Sequence, residues 1–222
     1  MSDKRPKMES VERQNLTDQV YHSLKEAIIQ GSLAPGTRLV EEQLASSLKV
    51  SKTPLREALG ALERDGLIDA IPYQGRYVAF LSLRQIKELY DVRELLEGLV
   101  ARLATEHITP ELERELTECL EGSRKAAEAG NNEQFLLHDR EFHDRLLDAA
   151  DNQSLKHMLQ LLRNRILLGQ VSSVYRLDRR QESWNEHLAV LQALRDRDPA
   201  AAEAAMRKHI INLAATYAKQ QQ

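Results

Sequence analysis

Four polar residues with metal-ligand chemistry fall at positions where the apolar periodicity of the C-terminal half expects core. Asp139 and His143 are one helical turn apart on a segment whose apolar positions are Phe135, Phe142 and Leu146. His187 interrupts a stripe of Trp184, Leu188, Leu191 and Leu194, and His209 interrupts one of Met206, Ile210, Leu213 and Tyr217. Burying such groups without partners costs on the order of a few kcal/mol apiece, so they should meet one another or a common ion. Three imidazoles and a carboxylate suit a divalent metal, zinc first, with nickel, manganese or iron(II) as alternatives. An Asp/His pair at this spacing can chelate from one helix face. A single histidine on an apolar face is more often a satisfied core residue; three in register with Asp139 shift the reading to a metal site. His22, His107, His138 and His157 lack that combination and are assigned to surfaces or helix ends.

Arg93 lies on another apolar stripe, Ile86, Leu89, Tyr90, Leu96, Val100 and Leu103, which aims its guanidinium at the domain interior. An unpaired charge there is expensive. Two partners remain open: a small carboxylate ligand held bidentately, or an internal ion pair with Glu97 or Asp91. Arg163 is a second, weaker ligand-binding candidate.

These residues need helices to position them, and the chain beyond residue 82 supplies them. Ser82 with Gln85 three residues on forms a capping-box signature. Thr109-Pro110 and Asp198-Pro199 each place a cap residue before a first-turn proline, and Gly130-Asn131 reads as a stop. About six helices are expected over 83–218, a mainly α, six- or seven-helix bundle.

The first 80 residues have a different texture. Val20, Leu24, Ala27 and Ile28 mark a helix ended by Gly31; Leu44, Ala45 and Leu48 mark a short second one. After a turn at Lys49-Val50, Ser51 is an N-cap candidate for a third helix with Leu55, Ala58, Leu59 and Leu62 facing inward. Residues 66–71 and 77–80 then read as two strands joined through Pro72-Tyr73-Gln74-Gly75, a small wing. The order predicts a winged helix-turn-helix domain over 12–80. Its third helix leaves Lys52, Thr53 and Arg56 exposed at the end that enters a major groove, with Ser51 suited to phosphate. Arg76 beside Gly75 offers a cation at the wing tip.

The ordered set Gly31-x-Leu33-x-Pro35-Gly36, Leu44-Ala45, Val50-Ser51-Lys52-Thr53-Pro54-Leu55-Arg56-Glu57-Ala58-Leu59, Leu62-Glu63, Gly66-Leu67, Gly75 and Val78 resembles the GntR family of winged-helix regulators. The resemblance implies operator contacts by Ser51, Lys52, Thr53, Arg56 and Gly75. Lys52 stands where arginine is commoner, Gln74 where some members carry histidine and Glu42 where some carry a DNA-contacting arginine. A lysine has no planar fork for a bidentate guanine contact. Residues 83–218 resemble the FadR-type effector domain in its metal-binding branch, with Asp139-x-x-Phe142-His143, His187 and His209 matching the ligands in order. This implies a metal-bound organic acid with Arg93 near its carboxylate, and a homodimer on a palindromic operator as the DNA partner.

Composition agrees and excludes other classes. The net charge of −3 makes no global polycation, and residues 1–80 carry eleven Lys plus Arg against eleven Asp plus Glu, so any DNA footprint is local. The lone Cys119 rules out an intramolecular disulfide framework. With no leader-like start and no span long enough for a bilayer, a cytoplasmic protein with no membrane partner is expected. Two other readings stay open. His138-Asp139 is superficially similar to the doublet of helical metal-dependent phosphohydrolases, although periodicity puts the two on different sides of one helix. The polar cluster could instead fix helix register in a dimerisation bundle.

Overall fold

The computed structural model describes residues 16–173 and 179–219. It divides into two compact units, one up to Ala79 and one from Phe80. Positions 12–15 of the expected DNA-reading domain lie outside the described residues, as does the side chain of Tyr217.

In the first unit, α1 (Leu16–Ile29) buries Val20, Leu24 and Ile28, the stripe its spacing predicts. The chain then forms β1 (Arg38–Leu39), α2 (Glu41–Leu48), α3 (Lys52–Arg64), β2 (Ile68–Ile71) and β3 (Gly75–Val78). Lys49 ends α2 in the left-handed region, with its N–H returned to the carbonyls of Ala45 and Ser46, and this makes the tight turn into α3. Leu55, Ala58, Leu59 and Leu62 of α3 are fully buried. They pin that helix so that its N-terminal end stays outside.

The wing differs from the expected hairpin in two ways. Strand β3 begins at Gly75 rather than residue 77, so the β2–β3 turn contains Pro72, Tyr73 and Gln74, with Tyr73 itself at φ 64° and Gly75 at φ 110°. A third strand, β1, pairs antiparallel with β3 through Arg38↔Tyr77 and Leu39↔Arg76, giving the order β1-β3-β2. Two residues are too few to show strand alternation in sequence.

The second unit contains six helices among the described residues: α4 (Leu83–Glu106), α5 (Pro110–Glu128), α6 (Asn132–Ala149), α7 (Gln153–Ser173), α8 (Arg180–Arg195) and α9 (Pro199–Lys219). Ser82 and Gln85 form the reciprocal capping box at the start of α4. Thr109 caps α5 ahead of Pro110, and Asp198 accepts from the Ala201 N–H at the head of α9. The core joins Tyr90, Phe142, Leu146, Leu191, Leu194, Met206 and Ile210. Leu188, expected in the His187 stripe, is turned outward, and Val190 takes the buried position instead. At Gly98 the approach of α9 is so close that a Cβ would come within 2.5 Å of Arg207 Cγ. Only glycine lets α9, which carries His209, lie this tightly on α4.

Candidate metal centre and DNA-reading surface

His143 of α6, His187 of α8 and His209 of α9 each turn one nitrogen to a common point, all within 4.8 Å of one another. His143 Nε2 and His187 Nε2 stand 3.1 Å apart. Two nitrogens each about 2.1 Å from one ion are separated by roughly 3.0 to 3.4 Å at common ligand angles, so this spacing suits a shared metal. His209 Nδ1 lies 2.8 Å from Glu186 Oε2. That contact assigns the Nδ1–H tautomer and turns the Nε2 lone pair inward. His209 Nε2 is buried with no hydrogen-bond partner among the described residues. A buried lone pair aimed at two other imidazoles fits a metal ligand.

Asp139 stands at the edge of this group. Its Oδ1 is 3.7 Å from His187 Nδ1 and accepts a 3.3 Å hydrogen bond from Ser183 Oγ, leaving it outside the histidine trio. The ring of Phe142 stacks on His187 at 4.6 Å between centroids and holds that imidazole in place. Burial, reinforced by the neighbouring His209, keeps His187 well below the usual imidazole range, and burial also lowers His209 despite Glu186. For His143 burial acts the same way, but the Glu97 carboxylate overrides it and raises the value.

Arg93 and Glu97 of α4 complete the cluster. Arg93 Nε donates to Glu97 Oε1 at 2.6 Å, the internal pair left open by the sequence. Glu97 Oε2 approaches His143 Nδ1 to 2.5 Å. Burial pushes the Glu97 carboxyl up, yet Arg93 and His143 more than offset this and hold it below the usual carboxylate range. Beside them is a cavity of about 90 Å³ lined by Arg93, Glu97, Asp139, Arg140, His143 and Arg163 among others. Arg163 pairs there with Asp144. Glu97 was visible in sequence only as a partner for Arg93. Glu186 was not visible, because its partner His209 lies on another helix, 23 residues away.

On the first unit, Ser51, Lys52, Thr53 and Arg56 are all exposed at the start of α3. Ser51 occupies the N-cap position without a side-chain cap bond, so it does not cap the helix as its residue type suggests. Lys52, Arg56 and Arg76 are each paired with a carboxylate. Lys52 Nζ meets Glu42 Oε1 at 2.5 Å. Arg56 Nε meets Glu41 Oε2 at 2.8 Å. From the wing, Arg76 Nη1 meets Glu41 Oε1 at 3.1 Å and its Nε meets Glu63 Oε2 at 3.4 Å. A Cβ on Gly75 would touch the Arg38 guanidinium at 3.7 Å, and Tyr73 stands fully exposed at the wing tip. Glu41 and Arg38 carried no signal in the sequence, and Glu63 and Tyr73 stood out only as pattern and turn positions, since only the fold brings β1, α2 and the wing together.

A helix-turn-helix with a wing, joined in one chain to a helical domain that gathers ionisable groups in its core, defines a two-domain class of DNA-binding regulator. Residues 16–78 match the family of bacterial regulatory proteins described as gntR, and residues 88–212 match the FCD domain. The chain is similar to the HTH-type transcriptional repressor RspR of Escherichia coli K12, at 31% identity over 197 residues, covering 89% of this chain and 86% of the relative. It is 32% identical over 187 residues to the transcriptional regulator YdhC of Bacillus subtilis 168, covering 83% of each. Among solved structures, E. coli McbR/YncC aligns with TM-score 0.79 at 29% identity, over 94% of this chain and 99% of that one. This protein therefore belongs to the GntR family of transcription regulators, with the FCD architecture of its FadR-like members. It is a DNA-binding regulator of transcription and not an enzyme. No described helix is long and apolar enough to cross a membrane.

Proposed function

We propose that this regulator is a repressor whose grip on operator DNA is set by a small organic acid at a divalent metal, zinc first, in the helical domain. In this reading residues 12–80 read DNA and residues 83–218 sense the acid. The observation that carries it is the inward, buried and unpartnered Nε2 of His209 beside the facing Nε2 atoms of His143 and His187. These three histidines, with Asp139 adjacent, would hold the ion. A bound divalent ion would supply a Lewis-acid site for a carboxylate oxygen. Arg93, already holding the Glu97 carboxylate at 2.6 Å, has the geometry to pair with an acid entering the adjacent cavity, with Arg163 at its wall. Exposed Ser51, Lys52, Thr53, Arg56 and Gly75, with half-buried Arg76, form the surface offered to DNA, and a homodimer would set two such surfaces against a palindromic operator.

The regulation is linkage. The acid must bind the DNA-incompetent arrangement better, and about 1.4 kcal/mol of difference gives a tenfold loss of operator affinity. The test is calorimetric titration of a small-carboxylate panel into zinc-loaded protein and into His187→Ala, with operator binding followed by fluorescence anisotropy. One acid is expected to bind the zinc-loaded wild type alone and release DNA. If no acid binds and stripping zinc changes neither melting nor DNA affinity, the cluster is a structural polar core and the sensor reading fails.

A further inference from the structure

We propose that Glu41 is the positioning residue of the DNA-reading surface, holding Arg56 of α3 with one carboxylate oxygen and Arg76 of β3 with the other, so that the two arginines meet DNA as one unit. This rests on the reading of Arg56 and Arg76 as DNA contacts. Glu41 is the first residue of α2, directly after β1, and its side chain is only 23% exposed where its neighbour Glu42 is 69% exposed. It is thus set back between the helix and the wing.

The atoms it engages decide what each arginine has left. Arg56 is held at Nε, and its side chain is 60% exposed. Its terminal Nη1 and Nη2 carry no hydrogen bond to the described residues and form the end-on pair that fits guanine O6 and N7. Arg76 is held at Nη1 by Glu41 and at Nε by Glu63. Only Nη2 remains, which suits one phosphate or sugar oxygen. An arginine so held has less rotamer freedom to lose on binding. Against this, a carboxylate at a DNA-facing surface repels phosphate and weakens binding to every sequence. Glu41 therefore lowers general affinity while raising discrimination, and these two effects separate experimentally.

The full-length wild type is used to select a duplex from a random-sequence pool, and that duplex and a scrambled one are compared by anisotropy at fixed salt. In E41Q, scrambled-duplex affinity is expected to hold or rise while the selected-to-scrambled ratio falls about tenfold, the scale of one lost bidentate contact. E26Q, the same charge change at an exposed residue of α1 whose carboxylate accepts from Gln30, is expected to leave the ratio unchanged. E41D keeps the charge but is too short to span both guanidiniums, so its ratio falls without a gain on scrambled DNA. R56A and R76A are expected to be non-additive in the wild-type background and additive in E41Q. If R56A lowers the ratio while E41Q and E41D do not, Arg56 reads DNA unaided and the proposal is overturned. If R56A itself changes nothing, the underlying contact assignment falls and the proposal with it.

Discussion

In the N-terminal unit Lys52 and Arg56, two of the cations proposed to meet DNA, end in surface ion pairs and are each more than half exposed. In the helical unit Arg93, Glu97, His187 and His209 are all at most 7% exposed. The same chemical types therefore stand in opposite energetic situations. Surface pairs gain little, are screened by salt and can be exchanged for phosphate oxygens at small cost. Buried groups have lost their water, and removing one partner strands the other. The difference matches the two roles proposed above: one surface would trade partners readily, while one core would keep ionisable groups aimed at a fixed point for a ligand.

The contrast breaks most visibly at Glu97. Glu97→Ala removes the acceptor of Arg93 Nε and the carboxylate against His143 in one step. The expected loss is about 3–5 kcal/mol of unfolding free energy, measured by urea denaturation. A loss below about 1 kcal/mol would mean that water reaches the pair and that the core is not the dry site its burial describes.

A smaller effect is expected at Glu186, which fixes the tautomer of His209 without standing among the facing nitrogens. Glu186→Gln keeps the size of the side chain but removes the carboxylate that makes Nδ1 the protonated nitrogen. Zinc affinity, measured against a competing chelator, should fall about 10- to 100-fold, the usual range for such an outer partner. Unchanged affinity would mean that the Glu186 charge does not tune His209 as a ligand.

Much of this was legible before any coordinates. Helix periodicity located the three histidines, and cap chemistry at Ser82, Thr109 and Asp198 located helix starts, because both are local signals. The bundle and the winged helix-turn-helix followed from those patterns and the ordered GntR-type residues. What stayed hidden depends on contacts across elements. Glu186 precedes His187 in sequence and so reads as the flank of another residue's stripe, yet it serves His209 from across a helix pair. Glu41 belongs to an acidic helix start, and nothing in its own neighbourhood announces two arginines from 15 and 35 residues away. Leu188 shows the converse, an apolar residue that periodicity placed inside and packing left at the surface.

The smallest expected effect lies on the exposed side of the comparison. Arg56→Ala removes a guanidinium that touches one carboxylate from a mostly exposed position, so folding stability should change by no more than about 0.5 kcal/mol in the urea assay used for Glu97. Two opposing contributions keep it small. The lost Coulomb attraction is weak in high dielectric, and Glu41 retains Arg76 as a partner at 3.1 Å, so no buried charge is stranded. A destabilisation above about 1.5 kcal/mol would place Arg56 within the structural framework of the unit, and the contrast between a tradable surface and a committed core would then hold only for Lys52 and its pair.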